Sequence, residues 1–383
     1  MRTVAVLGST GSIGRQALEV AEILTGEIKV TALAGGRNIE LLAAQAKKFH
    51  PNVVAIAAKE QYQALKLALT GTGIKVLAGE EGITEIAAGP DSQMVLAAIV
   101  GIAGLKPTLA AVKAGKYIAL ANKETLVTAG SVVRQEAAKS GADILPVDSE
   151  HSAIWQCLRA GRREEVENLI LTASGGPFRT WAAHELMQVT VQEALSHPNW
   201  KMGPKITVDS ATMMNKGLEI LEARWLFDIP LAQIQVLIHP ESVVHSLVEF
   251  VDGAIIGQLG LPDMRLPIQL AFTYPARLKT PWPRLQLAER TLTFEEPDTK
   301  RFPCLRLARE AGEKGGTAPT VLNAANEVAV TNFLSGQLAF VDIPKVIEEV
   351  LAAHELMGDV TLETIFFADE WARDQTRRVM HKE

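Results

Sequence analysis

The residues Thr3-Val4-Ala5-Val6-Leu7 run without a break into Gly8-Ser9-Thr10-Gly11-Ser12-Ile13-Gly14. A β-branched strand that ends in a glycine turn and opens directly into a helical pattern leaves few folds available. Glycines let a backbone approach a pyrophosphate, and the helix behind them presents its N-terminal N–H groups and positive dipole end. The glycines fall at every third position rather than in strict G-x-G-x-x-G order, which leaves that physics intact. The alternative is an ordinary glycine-rich βα turn.

The alternation continues. Strands are predicted at residues 28–34, 53–57, 94–98, 117–120 and 143–145, and helices at 12–24, 38–48, 59–69, 105–114 and 124–140. Such a rhythm predicts a parallel sheet covered on both faces. Past residue 145 it gives way to an α+β pattern. A strand is predicted over 168–173 and one continuous helix over 210–227. Strands at 243–250 and 255–259 are joined through Asp252-Gly253, a hairpin signal. Pro275, Pro281, Pro283, Pro297 and Pro303 mark an extended linker, and helical spacing dominates from Leu305 onward. We therefore expect an α/β protein with a Rossmann-type dinucleotide-binding domain over 1–147 and an α+β catalytic domain over 148–275. A proline-rich linker over 276–303 and a C-terminal helical bundle over 304–383 would follow.

Composition excludes several classes. With 38 Lys+Arg against 44 Asp+Glu the formal net charge is −6, a poor balance for gripping nucleic-acid phosphates. No apolar run reaches the ~18–20 residues of a membrane span, and no secretory signal opens the chain, so a soluble cytoplasmic protein is expected. Cys157 and Cys304 are too few for a disulfide framework or a cysteine zinc site. A reducing compartment is the simplest reading, with a single long-range disulfide left open.

Six clusters carry chemistry. The strand at 28–34 ends in Gly35-Gly36-Arg37-Asn38 with no carboxylate for a ribose diol; Arg37 instead suits a 2′-phosphate and favours NADP(H). Asp148 and Glu150 in Val147-Asp148-Ser149-Glu150-His151 point to one side if the segment is extended. Paired carboxylates either hold a Mg²⁺ or Mn²⁺ ion or merely begin a helix. Ser210, Asn215 and Lys216 are the donor types a phosphate monoester needs, and Glu219 offers a third carboxylate on the same helix edge. Ser174-Gly175-Gly176 is a second phosphate-type turn. His197-Pro198-Asn199-Trp200-Lys201-Met202-Gly203 is a loop whose large apolar groups suit closure over a ligand or permanent packing. Asn122-Lys123-Glu124 follows a predicted strand, where α/β folds place ligand groups.

Together and in this order these motifs resemble the 1-deoxy-D-xylulose 5-phosphate reductoisomerase family of the non-mevalonate isoprenoid pathway. The resemblance runs nearly end to end and is densest to about Arg265. It implies NADPH and a divalent cation, Mn²⁺ or Mg²⁺, as cofactors, a small phosphorylated ketose as substrate, and a homodimer. The implied reaction rearranges and reduces 1-deoxy-D-xylulose 5-phosphate to 2-C-methyl-D-erythritol 4-phosphate. It implies that Asp148, Glu150 and Glu219 ligate the metal, and that Lys123, Asp148, Glu150 and Glu219 are the catalytic set. Substrate contacts are implied for Lys123, Ser149, Glu150, Ser174, His197, Trp200, Met202, Ser210, Asn215, Lys216 and Glu219. Cofactor contacts are implied for Gly8, Thr10, Gly11, Ser12, Ile13, Gly36, Arg37, Asn38, Asn122, Glu124 and Gly203. Two other readings share the nucleotide site: a plain NADP-dependent sugar-phosphate dehydrogenase, which rearranges no carbon, and a nucleotide sensor, which has no use for the carboxylate trio.

Overall fold

The computed structural model describes residues 1–200, 202–288 and 290–381. Within them the chain forms two compact units. The first comprises Met1–Thr125, Val133–Ser152 and Asp263–Trp282; the second comprises Leu126–Val132, Ala153–Pro262 and Pro283–Glu383.

The first unit is built on a seven-stranded sheet. Strands β1 (Arg2–Leu7), β2 (Ile28–Gly35), β3 (Val53–Ile56), β4 (Lys75–Ala78), β5 (Met94–Ala97), β6 (Tyr117–Leu120) and β7 (Ile144–Pro146) lie in the order β4-β3-β2-β1-β5-β6-β7. Every pairing is parallel. The crossover helices are α1 (Ser12–Ile23), α2 (Ile39–Phe49), α3 (Tyr62–Ala68), α4 (Gly79–Ala88), α5 (Leu105–Lys113) and α6 (Glu124–Ser140). α7 (Ser149–Cys157) follows β7. Strands buried on both faces read as continuous apolar runs, and Val4-Ala5-Val6-Leu7 and Met94-Val95-Leu96-Ala97 are both fully buried. The order reverses between β1 and β5, the switch point beside which open α/β sheets bind ligands. Asn38 caps α2, its side chain accepting from Leu41 N at 2.9 Å.

The second unit holds a four-stranded sheet in the order β11-β10-β8-β9. Its strands are β8 (Val166–Ala173), β9 (Ile234–Ile238), β10 (Val244–Phe250) and β11 (Ile255–Leu259). β8 and β9 pair in parallel, while β10 runs antiparallel to β8 and β11. Gly253, at φ 84°, makes the predicted hairpin turn between β10 and β11. The helices are α8 (Val191–Ala194), α9 (Pro204–Ala211) and α10 (Met214–Phe227). α11 (Arg265–Thr273) returns to the first unit. α12 (Cys304–Lys314), α13 (Ala318–Leu334), α14 (Ile343–Ala352) and α15 (Leu362–Met380) close the chain. Their inward faces share one hydrophobic core with the four-stranded sheet, from Leu171 and Val248 through Leu218 to Val321 and Ala368. No helix among the described residues is long and apolar enough to cross a membrane.

Two local expectations are corrected. The predicted helix over 210–227 is broken. α9 ends at Ala211, Met213 adopts φ 64°, and α10 begins at Met214. Left-handed geometry at a non-glycine residue costs about 1–2 kcal/mol, and no Gly or Pro marks it in the sequence. Asp148 and Glu150 do not alternate along an extended segment, because α7 begins at Ser149. β4, α4, β9 and α11 also lie outside the sequence expectation.

Cys157 and Cys304 are both free and buried, and burial pushes their thiols up to about 11 and about 12. Since the thiolate is the reactive form, neither thiol reacts with iodoacetamide at pH 8 in the native protein and both react in denaturant. Rapid native alkylation would contradict this burial.

Candidate functional site

In the first unit the glycine turn lies at the carboxyl end of β1. Gly8 takes φ 87°, and a Cβ there would stand 2.5 Å from Ala98 O at the end of β5. A Cβ on Gly14 would stand 2.5 Å from Ser9 Cα, so α1 packs directly against the turn. Gly11 caps the start of α1 without a side-chain bond, and the turn through Thr10 to Ile13 leads its backbone N–H groups into the helix. Gly36 has open space where a side chain would be. Arg37 follows it, its side chain 79% exposed and paired with Glu60 at 3.1 Å. An exposed pair of this kind is worth ~0–1 kcal/mol and yields readily to a phosphate.

Across the switch point, Asn122 braces the loop after β5. Its amide donates to Ile99 O and, at 3.0 Å, to Gly101 O, while its carbonyl accepts from Thr125 N at 2.8 Å. It also donates to buried Glu124 at 3.2 Å. The side chain of Asn122 is therefore committed to the loops around it.

Lys123 is buried, and its ammonium pairs with Asp148 at 2.5 Å. Burial pushes the Asp148 carboxyl up, but the charges of Lys123 and His151 outweigh it and hold the group well below the usual carboxylate range. Ser149 Oγ donates to Glu150 Oε2 at 2.6 Å. The start of α7 thus gathers two carboxylates and a hydroxyl beside the buried lysine that precedes α6, all within one unit.

The second unit collects the phosphate-type groups. A Cβ on Gly176 would lie 2.8 Å from Ser210 O, so the Ser174–Gly176 turn seats against the end of α9. The break at Met213 then lets α10 restart, which places Asn215 and Lys216 in its first turn. Ser210, the turn and the N-terminal end of α10 are brought together by this kink, which the sequence did not reveal. Asn215 donates to Glu219 Oε1 at 2.5 Å, and Lys216, 3% exposed, pairs with Glu219 Oε2 on a fully buried carboxylate. The neighbouring Asp209 carboxylate is satisfied by Lys205 at 2.7 Å and by Asn326 of α13 at 2.9 Å.

His197 shows how the 197–203 loop meets this turn. Its Nδ1 accepts from the backbone N–H groups of Asn199 and Trp200, at 3.2 and 3.0 Å. The proton therefore sits on Nε2, which donates to Ser174 Oγ at 2.9 Å. Ser174 Oγ also accepts from Gly176 N at 3.2 Å, so its own hydrogen is left for an anion. The Trp200 ring stands 6.2 Å from that of His245. Met202 and Gly203 precede α9, with open space at Gly203. Lys201 lies outside the described residues. The sequence places Asn199 within the 197–203 loop without giving it a role, and His239 beside an apolar strand reads as a structural residue.

The donor set suits a hard divalent cation. Asp148, Glu150 and Glu219 offer only oxygen, and Lys123 and His151 keep the half-buried Asp148 ionised. Asp148 and Glu150 lie in the first unit and Glu219 in the second.

Burial lowers the His197 pKa from 6.5 to about 4. Between those values the unfolded chain takes up a proton that the folded chain refuses, so stability falls as pH drops from 6.5 toward 4. The His197→Gln variant loses less Tm over that window than the parent. Parallel Tm–pH curves would contradict the buried neutral imidazole.

The chain is similar to known proteins over nearly its whole length. Three family models match: 1-deoxy-D-xylulose 5-phosphate reductoisomerase at residues 4–130, its C-terminal domain at 144–227, and the DXP reductoisomerase C-terminal domain at 259–375. The 1-deoxy-D-xylulose 5-phosphate reductoisomerase of Pelotomaculum thermopropionicum is 55% identical over 99% of both chains. That of Heliobacterium modesticaldum is 54% identical over 97% of this chain and 96% of its own. The Zymomonas mobilis enzyme, solved in complex with NADPH, superposes with TM-score 0.94 at 45% identity over 100% of both chains. A DOX-P reductoisomerase solved with NADPH, fosmidomycin and magnesium superposes with TM-score 0.95 at 43% identity, covering 99% of this chain and 98% of its own. The chain belongs to the 1-deoxy-D-xylulose 5-phosphate reductoisomerase family.

Proposed function

We propose that this chain converts 1-deoxy-D-xylulose 5-phosphate to 2-C-methyl-D-erythritol 4-phosphate, using NADPH and a divalent cation, Mg²⁺ or Mn²⁺. The observation that carries this reading is the convergence of Ser174, Ser210 and the start of α10 in one unit, beside the fully buried Lys216–Glu219 pair. It supplies hydroxyl, backbone and ammonium donors for a phosphate monoester, and a carboxylate within a few residues of them.

When bound, the cation supplies Lewis acidity to the carbonyl and hydroxyl oxygens of the ketose, and NADPH supplies hydride. Asp148, Glu150 and Glu219 would hold the cation. Lys123 keeps Asp148 ionised and, with Ser149, reaches the substrate backbone; Lys123 and Glu150 are the groups best placed to move its protons. Ser174, Ser210, Asn215 and Lys216 grip the phosphate, and that remote binding energy orients the reacting carbons. His197 meets the phosphate through Ser174, while Trp200 and Met202 exclude water above it. Gly8 through Ile13, with Gly36, Arg37, Asn38, Asn122, Glu124 and Gly203, receive the dinucleotide.

In functional terms residues 1–147 serve NADPH and 148–275 serve metal and substrate, with 276–303 linking them to the helices of 304–383. A cytoplasmic homodimer belongs to the same reading. β11 is the outer strand of its sheet, and Ile255, Ile256 and Leu259 are exposed along it. An apolar edge strand of this kind favours pairing with a second copy.

The test is NADPH oxidation with 1-deoxy-D-xylulose 5-phosphate, with Mn²⁺ or Mg²⁺ and then with chelator, the product being identified by NMR. A branched tetritol phosphate formed only with metal is expected. NADPH consumption with an unbranched product would make the chain a plain dehydrogenase, and tight NADPH binding without turnover would make it a sensor.

A further inference from the structure

The extended segment Thr293–Glu295, read from sequence only as linker, makes contacts that a passive connection does not need. Glu295 exchanges backbone hydrogen bonds with Ile238, at 2.8 and 2.9 Å, at the end of β9. Its carboxylate pairs with Arg179 at 2.7 Å. Arg179 in turn lies under the phosphate turn, since a Cβ on Gly175 would meet its Cδ at 2.7 Å.

Two residues earlier, Thr293 O receives His239 Nδ1 at 2.8 Å. The His239 tautomer is settled by its other nitrogen. Nε2 accepts from Val243 N and Val244 N, at 3.2 and 3.1 Å, so the proton is on Nδ1. The His239 ring stacks on Phe294, with centroids 4.8 Å apart and planes at 17°. Thr293 Oγ1 donates to Glu241 at 2.7 Å. The 239–244 loop is thereby fixed to the linker from one side.

From the other side the same loop holds the segment that carries His197. Asn199 Nδ2 donates to Pro240 O at 2.5 Å and to Ser242 Oγ at 2.9 Å. In this position His197 is bonded to Ser174. The linker thus touches the phosphate subsite along two paths, one through the 239–244 loop and Asn199 to His197, the other through Arg179 to the Ser174–Gly176 turn.

We propose that Thr293–Glu295 is a positioning element of the phosphate subsite, with Asn199 as the latch that seats His197 on Ser174. This rests on the phosphate reading given above. None of these residues touches the reacting atoms, so their loss weakens phosphate capture and spares the chemical step.

The experiment compares Asn199→Ala, Thr293→Val and Glu295→Gln with the parent enzyme, measuring kcat, the KM of each substrate and Tm. We expect the KM for the ketose phosphate to rise about tenfold in Asn199→Ala, the loss of roughly one well-made bond. A rise of about two- to fivefold is expected in Thr293→Val and Glu295→Gln, as for an exposed pair. kcat, the KM for NADPH and Tm stay close to the parent values. The double variant Asn199→Ala/Thr293→Val is no worse than Asn199→Ala, because both lie on one path. An unchanged KM for the ketose phosphate, or equal rises in both KM values, overturns the proposal. Calorimetric titration with inorganic phosphate separates this idea from the catalytic reading. Phosphate binding weakened in the variants supports the positioning role even if the parent enzyme turns nothing over, and equal binding overturns it even if turnover is normal.

Discussion

A carboxylate withdrawn from water must keep a counter-charge or give up its own charge, and the site is organised around two that keep theirs company. Asp148 lies against Lys123 and Glu219 against Lys216, all largely shielded from solvent. Truncating one partner of such a pair costs ~3–5 kcal/mol, whereas the intact pair adds little net stability. Pairs of this sort are a poor means of holding a fold together and a good means of keeping carboxylates anionic and oriented. That is the state a carboxylate ligand of a divalent cation needs.

The phosphate groups depend on a different constraint, the left-handed backbone at Met213. A continuous helix from Ser210 to Phe227 would place Asn215 and Lys216 in its interior, with their backbone N–H groups already bonded. Breaking it gives α10 a fresh N-terminus, whose positive dipole end suits an anion. Sparsely populated conformations of this kind persist where the surroundings hold them, and they cluster at functional sites. Here Ala211 is pressed against the Gly176 turn, and Met213 and Met214 are buried in the core.

What could be read from the sequence follows from range. The βα units, the turn from Gly8 to Gly14, the Asn38 cap and the Asp252-Gly253 hairpin are specified within a few residues, by side-chain period, cap chemistry and turn chemistry. β4 and β9 are short strands completed by their neighbours in the sheet, and α11 carries Pro267 in its first turn, so local pattern understates all three. The kink at Met213 lacks the usual breaker residues because packing imposes it. The ties from Thr293 to Glu241 and from Asn199 to Ser242 join positions far apart in the chain through ordinary polar residues, and no spacing rule exposes them. The site residues themselves were legible as chemical types. Their committed hydrogen bonds, such as those of Asn122 and of His197, were not.

On the proposed reading Asp148, Glu150 and Glu219 are the residues that serve the divalent cation. Titration of the chelator-treated protein with Mn²⁺, followed by electron paramagnetic resonance, tests this without reference to activity. The account predicts one tight site per chain, lost in Asp148→Asn and equally in Glu219→Gln, with both variants retaining the parent circular dichroism spectrum. Tight binding that survives either substitution, or two independent sites of which each variant removes one, would contradict it.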